Sequence, residues 1–109
     1  MANHEFGIMQ IPPQKGQRYD EYEPNKYDCI SVNDDYIEDI VEKFNDIDFY
    51  WHTLDVTGKG LAYSGVTLIL PTSMPKCIAV IENIPELHQL KELLSKAFNE
   101  NKWVIHFGT

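Results

Sequence analysis

Residues 47–70 read IDFYWHTLDVTGKGLAYSGVTLIL, and this stretch decides the fold class of the 109-residue chain. From residue 49 to 53, every second residue suits a buried face, which is typical of a strand with one side on the core. Residues 66–70 are apolar at nearly every position, which indicates a strand covered on both faces. Between them, Gly58-Lys59-Gly60 predicts a hairpin turn, after which a strand resumes over 61–64.

A strand and a helix are predicted before this stretch. Residues 29–32 form a short β-prone run, and Asn33 follows as a candidate N-cap with acidic residues in the first helical turn. Ile37, Ile40 and Phe44 then recur at helical spacing, so one face of the predicted helix is apolar.

The C-terminal part predicts further helices and a last strand. Ser73 and Pro75 are typical of a helix start, and leucines from residue 87 onward predict a second amphipathic helix. Residues 74–82 would also suit a strand, because periodicity decides weakly over so short a run. Residues 103–107 alternate again, with both aromatic residues, Trp103 and Phe107, on one side.

The resulting order, β-α-β-β-α-(α)-β, is that of a ferredoxin-like α+β sandwich. In that fold the second and fourth strands lie at the edges, so His52 and His106 are expected on opposite edge strands. If residues 74–82 form a strand, the alternative is an antiparallel meander packed on two helices. Residues 29–109 are predicted to form this single α+β domain.

Residues 1–28 differ in composition from the rest and predict an irregular N-terminal arm. Residues 5–11 suit a short strand before two prolines, and residues 19–28 (YDEYEPNKYD) are acidic and rich in tyrosine. Tyr19, Tyr22 and Tyr27 have no spacing that places them on one helix face. We expect the arm to pack along the core. The alternative is that its tyrosines bind a partner, since tyrosine offers a large contact area at low entropic cost.

Seventeen acidic residues against nine basic residues give a formal net charge of −8. A nucleic-acid partner is therefore not expected, because binding to the phosphate backbone needs basic side chains. The acidity suits a basic protein partner, since opposite charges steer association. No apolar run approaches the ~20 residues that span a bilayer, so no membrane partner is expected.

The first residues, MANHE, have neither the basic start nor the apolar segment of a secretory signal, which predicts a cytoplasmic protein. Its two cysteines are then expected to be reduced. Cys29 and Cys77 are not in a C-x-x-C motif, so both are predicted to be core residues rather than a redox pair.

No sequence motif points to catalysis or metal binding. The chain has no H-x-x-x-H, C-x-x-C or G-x-S-x-G sequence, and His4 and His88 are isolated. His52 and His106 on opposite edge strands would lie too far apart to share a metal ion. We therefore assign no catalytic residue, metal ligand or cofactor, and an enzyme is the less expected class.

The candidate ligand or partner face consists of Tyr50, His52, Tyr63 and His106, which would share the outer side of the sheet if the tryptophans face the core. Tyrosine and histidine together suit contact with a partner, a second copy in a homodimer, or the arm itself. The sequence thus predicts a non-enzymatic protein-interaction module. The alternative is a small-ligand-binding domain or cofactor-free enzyme that uses the same face.

Overall fold

Six antiparallel strands form one sheet in the computed structural model, which describes residues 2–109. The strands are β1 (Asn3–Met9), β2 (Ile30–Asn33), β3 (Asp48–Trp51), β4 (Thr57–Lys59), β5 (Val66–Ile69) and β6 (Trp103–Phe107). Their spatial order is β2-β1-β6-β5-β3-β4, which leaves β2 and β4 at the edges. The helices α1 (Asp34–Glu38), α2 (Met74–Ile81) and α3 (His88–Asn99) complete the fold.

The predicted α+β class is confirmed, but the strand order differs from the ferredoxin-like one. β6, which carries His106, lies between β1 and β5 and not at an edge. β3, which precedes His52, lies between β5 and β4, so β4 and not β3 forms that edge. The order differs because the sheet contains two strands that the predicted pattern lacks. These are β1 and β4.

β1 overlaps the short strand that the sequence suggested over residues 5–11, but it belongs to the sheet and not to an irregular arm. It pairs with β2 through residues 3–6 and with β6 through residues 5–9, so it is an inner strand. Its partners lie at residues 30–33 and 103–107, far along the chain, and local patterns carry no information about such pairing. The segment after β1 is largely irregular, with one 3-10 turn at Pro24–Tyr27.

The hairpin has other boundaries than predicted. Thr57–Lys59 pairs with residues 48–50, so Gly58 and Lys59 lie inside a strand and the chain turns between residues 52 and 56. Residues 61–64 form no strand. A side chain at position 58 would meet the Trp51 indole at 2.4 Å, so only glycine fits there. β5 is buried at all four positions, as its apolar composition predicted.

The helix predictions are largely confirmed. The side chain of Asn33 accepts a hydrogen bond from the Asp35 amide (2.8 Å) and caps α1. α1 ends at Glu38, earlier than the apolar stripe predicted, and a 3-10 turn at Val41–Phe44 carries Phe44 to the core. Residues 74–81 are helical, so the strand alternative and the meander are wrong.

Both faces of the sheet are covered. On one side, which we call the helix face, strand residues such as Phe6 and Val104 pack with the buried side chains of the three helices. On the opposite side, the outer face, a second apolar cluster contains Met9, Val66, Leu68, Ile105 and Phe107. Tyr19 and Tyr27, from the segment of residues 10–28 that we call the covering segment, pack against this cluster. No helix within residues 2–109 is long and apolar enough to cross a membrane.

Candidate functional site

Four polar side chains form a continuous hydrogen-bonded chain through the helix face, which we call the histidine network. Nε2 of His4 lies 2.8 Å from Oδ1 of Asp34, and Nδ1 of His4 lies 2.8 Å from Nε2 of His106. Nδ1 of His106 then lies 3.1 Å from Oγ1 of Thr67. The network therefore connects β1, β5 and β6 to the start of α1.

Strand geometry explains why these residues meet. His4 and Phe6 alternate with outward residues on β1, and His106 lies opposite Phe6 in the β1–β6 register. The rings of Phe6 and His106 are 4.8 Å apart. His4, Thr67 and His106 are completely buried. Polar groups at such depth must satisfy one another, because an unpaired one costs about 1–3 kcal/mol.

One arrangement of protons satisfies the whole network, assigned from the hydrogen-bond partners. The Ala62 amide donates to Oγ1 of Thr67 at 2.8 Å, so the Thr67 hydroxyl is free to donate to Nδ1 of His106. Nε2–H of His106 then donates to Nδ1 of His4, and Nε2–H of His4 donates to the Asp34 carboxylate. Both imidazoles are neutral in this arrangement.

The ionisation of the network follows from burial and hydrogen bonding. Burial, and secondarily the positive charge that His4 carries whenever it is protonated, lower the pKa of His106 from 6.5 to about 3. Hydrogen bonds from Tyr63 and His4 lower the pKa of Asp34, and the same bond from Tyr63 raises the pKa of that phenol to about 12. The stable form thus has a neutral His106 beside an ionised Asp34 and a protonated Tyr63.

The network links the core to the surface at one end only. The Asp34 side chain, at the outer end, is 20% exposed. At the inner end, Oγ1 of the buried Thr67 accepts a hydrogen bond from the Ala62 amide. A chain of this kind can shift protons, but its inner end presents no reactive atom to a substrate. Its evident effect is to hold the start of α1 against β1, which the bond from the Asp34 amide to the Ala2 carbonyl (3.0 Å) reinforces.

The structure brings together only two of the four residues of the predicted face. Tyr63 lies 5.0 Å from the His4 ring and bonds Asp34, so it belongs with His106 at the network. Tyr50 lies on the opposite side of the sheet, with its ring 5.7 Å from Trp103. The expected parity is wrong for β6, because Trp103 packs on the outer-face cluster and His106 points to the helices.

His52 lies outside the network, in the turn after β3. Its backbone has a positive φ of 63°, unusual for a residue other than glycine. Nδ1 lies 2.7 Å from Oδ1 of Asp20, a close contact that does not meet the geometric criteria of a hydrogen bond. The Val66 amide approaches Nε2 at 3.4 Å. Ser64 lines a cavity of about 160 Å³ beside this ring without bonding it.

The tyrosines of the covering segment contact the sheet. The rings of Tyr22 and Tyr27 lie 5.5 and 6.1 Å from the Phe107 ring, and the Tyr19 amide donates to the His52 carbonyl at 2.7 Å. The Tyr22 hydroxyl donates to the Glu5 carboxylate. Tyr22 nevertheless stays 65% exposed, so part of its ring is free for other contacts.

Three members of the histidine network were not recognised from the sequence. The sequence suggested that His4 is isolated, which is wrong, because it bonds His106. His88 lies apart from the network, exposed on α3, where it pairs with Glu92. Asp34 already had an explanation at the start of a helix, and Thr67 looked like part of an apolar strand. A usable signal was that His4 shares its parity with Phe6 and Ile8 in β1, and His106 shares its parity with Val104 in β6, so each histidine lies on an apolar side of its strand.

The two cysteines and the potential metal ligands were the other candidates for chemistry. Burial raises the pKa of both thiols, Cys29 and Cys77, to about 12, which disfavours the reactive thiolate. In residues 2–109 no group of three or more His, Cys, Asp or Glu side chains is arranged to hold a metal ion.

A distinct electrostatic feature lies beside the network. Residues 34–48 contain seven acidic residues and one lysine. Five of these acids are exposed and form no salt bridge in the part of the chain that the structure describes: Asp35, Glu38, Asp39, Glu42 and Asp46. We call them the acidic surface. Tyr36 lies among them with 39% of its surface exposed.

Comparison with known proteins gives no match to a protein family, to a curated protein or to a solved structure. The contacts and charges described above are therefore the basis for a functional proposal.

Proposed function

We propose that this chain is a non-enzymatic protein-interaction module that binds a basic partner protein through the acidic surface. The observation that supports this most is the group of five exposed carboxylates, near which the sequence places one lysine, Lys43, and which form no salt bridge within residues 2–109. Charges left unpaired in this way repel one another in the free protein. A basic partner would relieve that repulsion and would be attracted over long distances by the net charge of −8.

Tyr36 would supply the apolar contact area from which the affinity for the partner comes. Carboxylates at the rim of an interface mainly speed association, whereas aromatic side chains in its centre contribute most of the affinity. Tyr36 is exposed and lies within α1, between the acidic residues on either side. The Asn33 cap and the bond from His4 to Asp34 hold α1 in place, so the surface is ordered before a partner arrives.

The other functions are less favoured by the geometry. A small-ligand site or active centre built from Tyr50, His52, Tyr63 and His106 would need these side chains to share one cavity. Tyr63 and His106 both lie at the histidine network, but Tyr50 is on the opposite side of the sheet and His52 is in the turn after β3. A homodimer through the acidic surface would place like charges against each other. A second copy would therefore have to use a different surface.

Site-specific crosslinking in the native host tests the proposal. A photoreactive aromatic residue is placed at Tyr36, and a matched control carries it at Phe98, which is similarly exposed (39% and 43%) but lies on α3. We expect a discrete adduct with a basic protein from position 36 and none from position 98. No adduct at 36, or the same adducts at both positions, would refute the acidic surface as the binding site.

Association kinetics with the captured partner then test whether the acidic surface itself, and not only the net charge of the protein, attracts the partner. One variant neutralises four acids of the surface (Asp35→Asn, Glu38→Gln, Asp39→Asn, Glu42→Gln). Its control neutralises four exposed acids elsewhere (Glu21→Gln, Glu23→Gln, Asp55→Asn, Glu82→Gln), so both variants change the net charge equally. The first should slow association at low salt by about tenfold or more and the control by much less. Equal effects would show that only net charge matters.

A further inference from the structure

β1 extends beyond the strand that should protect its edge. It runs to Met9 and stays paired with β6 over residues 5–9, but its pairing with β2 stops at Phe6. The chain that leads into β2 turns away at Asp28, whose φ is +51°. Tyr27 and Cys29 pack over Gly7 on the outer face, where an added side chain would meet them at 2.7 Å. Ile8 is the first residue beyond the paired part of this edge whose backbone groups face the β2 side.

The backbone of Ile8 faces the open edge. Successive residues of a strand direct their N–H and C=O groups to opposite neighbours. The Ala2 carbonyl accepts from the Asp34 amide on the β2 side, so the even-numbered residues of β1 point their backbone groups that way. The N–H and C=O of Ile8 therefore point past the end of β2. Neither forms a hydrogen bond within residues 2–109.

Two cavities flank this edge, and Ile8, Gln10 and Tyr27 line both of them. One measures about 250 Å³ and has a mainly apolar wall that includes Met9 and Tyr19, residues of the outer face. The other measures about 490 Å³ and lies toward α3, with Leu93 and Asp28 in its wall. An edge with unpaired backbone groups and a cavity on either side matches the way strand-adding domains bind peptides.

We infer that an extended peptide of a partner protein binds here by adding a short strand beside Ile8. Because side chains of a strand alternate between the two faces, neighbouring peptide residues would enter the two cavities in turn. The cavity at the outer face suits a large apolar side chain. The cavity at α3 contains one cation, Lys96, and two carboxylates, Asp28 and Glu92. Glu92 pairs with His88, whereas Asp28 forms no salt bridge in the described chain, so a lysine or arginine of the peptide would pair with Asp28.

This inference rests on the proposed function, because it adds a second point of contact with a basic partner. The free part of the edge lies between the end of the β2 pairing at Phe6 and the prolines at 12 and 13, which suits three or four peptide residues. A full strand of a second copy would need a longer edge. It would also bring two chains of charge −8 together.

Random heptapeptides displayed on phage provide a probe that does not require the partner. We expect enriched sequences in which a large apolar residue is adjacent to lysine or arginine. One synthetic peptide is then tested with each backbone amide methylated in turn. Methylation of the amide that pairs with Ile8 should weaken binding by about tenfold or more, while its two neighbours tolerate the change, because their amides face away from the edge.

A pair of variants on α3 locates the site. Leu93→Arg places a bulky cation in the cavity wall and should weaken peptide binding by about tenfold or more. Ser95→Arg, on the same helix outside both cavities, should leave it unchanged. Failure to enrich peptides, or binding indifferent to methylation and to Leu93→Arg, would overturn the inference and leave the acidic surface untouched. Protection of the Ile8 amide that rises with protein concentration, without peptide, would assign the edge to a second copy and also overturn it.

Discussion

Nδ1 of His4 lies 2.8 Å from Nε2 of His106, in a contact between residues 102 positions apart. It is completely buried and joins the first strand of the chain to the last. Because each ring also bonds a second partner, neither histidine can be replaced without leaving polar atoms unpaired. The network therefore couples the two ends of the chain to the position of α1.

Replacement of His106 by leucine should destabilise the protein strongly. His106→Leu fills the site with an apolar side chain but leaves Nδ1 of His4 without a donor and the Thr67 O–H without an acceptor, although Oγ1 of Thr67 still accepts from the Ala62 amide. We expect a loss of about 2–4 kcal/mol in the free energy of unfolding, measured by urea denaturation. His88→Leu, on the surface of α3, serves as control and should change stability by less than about 0.5 kcal/mol. Equal effects in the two variants would show that the network contributes nothing specific.

Stability should fall as the solution is acidified below neutral pH. The pKa of His106 is about 3 in the folded protein, below its ordinary 6.5, so the unfolded chain takes up the proton first. This stabilisation is complete above pH 6.5 and is lost as the pH falls from 6.5 toward 3. Within the window the free energy of unfolding should decrease by about 1.4 kcal/mol per pH unit.

Two comparisons identify the group responsible for that loss. The pKa of Asp34 is also lowered, but from 3.8, so its contribution is lost only at more acidic pH. His106→Leu should therefore have a flatter stability profile between pH 6.5 and 4 than the wild type. A profile of unchanged slope in this variant would assign the effect to other groups.

The sequence predicted those parts of the fold that depend on local patterns. The alternation of residues 103–107, the apolar run of β5, the Asn33 cap and the spacing in α2 and α3 all correspond to observed elements. The strand order could not be predicted, because β1 pairs with residues 30–33 and 103–107. Neither pairing has a signature within β1 itself.

The candidate site was harder to predict, for a related physical reason. Both faces of the sheet are covered, so the alternation in β6 does not reveal which face the helices occupy. The sequence places His106 on the solvent side only if Trp103, which has the opposite parity in the strand, faces the core. Instead, a satisfied set of hydrogen bonds allows His106 to be buried, and its partners at residues 4 and 67 are distant in the sequence.

Gly58→Ala tests the corrected position of β4. An added methyl group would lie 2.4–2.6 Å from the Trp51 indole, so the ring must shift and its bond to the Gly60 carbonyl (3.0 Å) would be strained. We expect a loss of about 1–3 kcal/mol and a change in tryptophan fluorescence. Gly16→Ala is the comparison, since nothing lies within 4 Å but φ is +85°; it should cost about 1 kcal/mol. A neutral Gly58→Ala would contradict the packing of Trp51 on β4.

Thiol reactivity should distinguish the two cysteines in the native protein. Burial raises the pKa of both thiols to about 12, so a disulfide reagent at about pH 8 finds very little thiolate. Cys77 is 1% exposed within α2, whereas Cys29 is half-buried between the covering segment and β2. Cys29 should therefore react slowly and Cys77 only when the protein unfolds. Cys29→Ser isolates the second thiol: its modification rate should follow the unfolding rate as denaturant is added. Rapid labelling of Cys77 without denaturant would show that α2 opens far more readily than its burial implies.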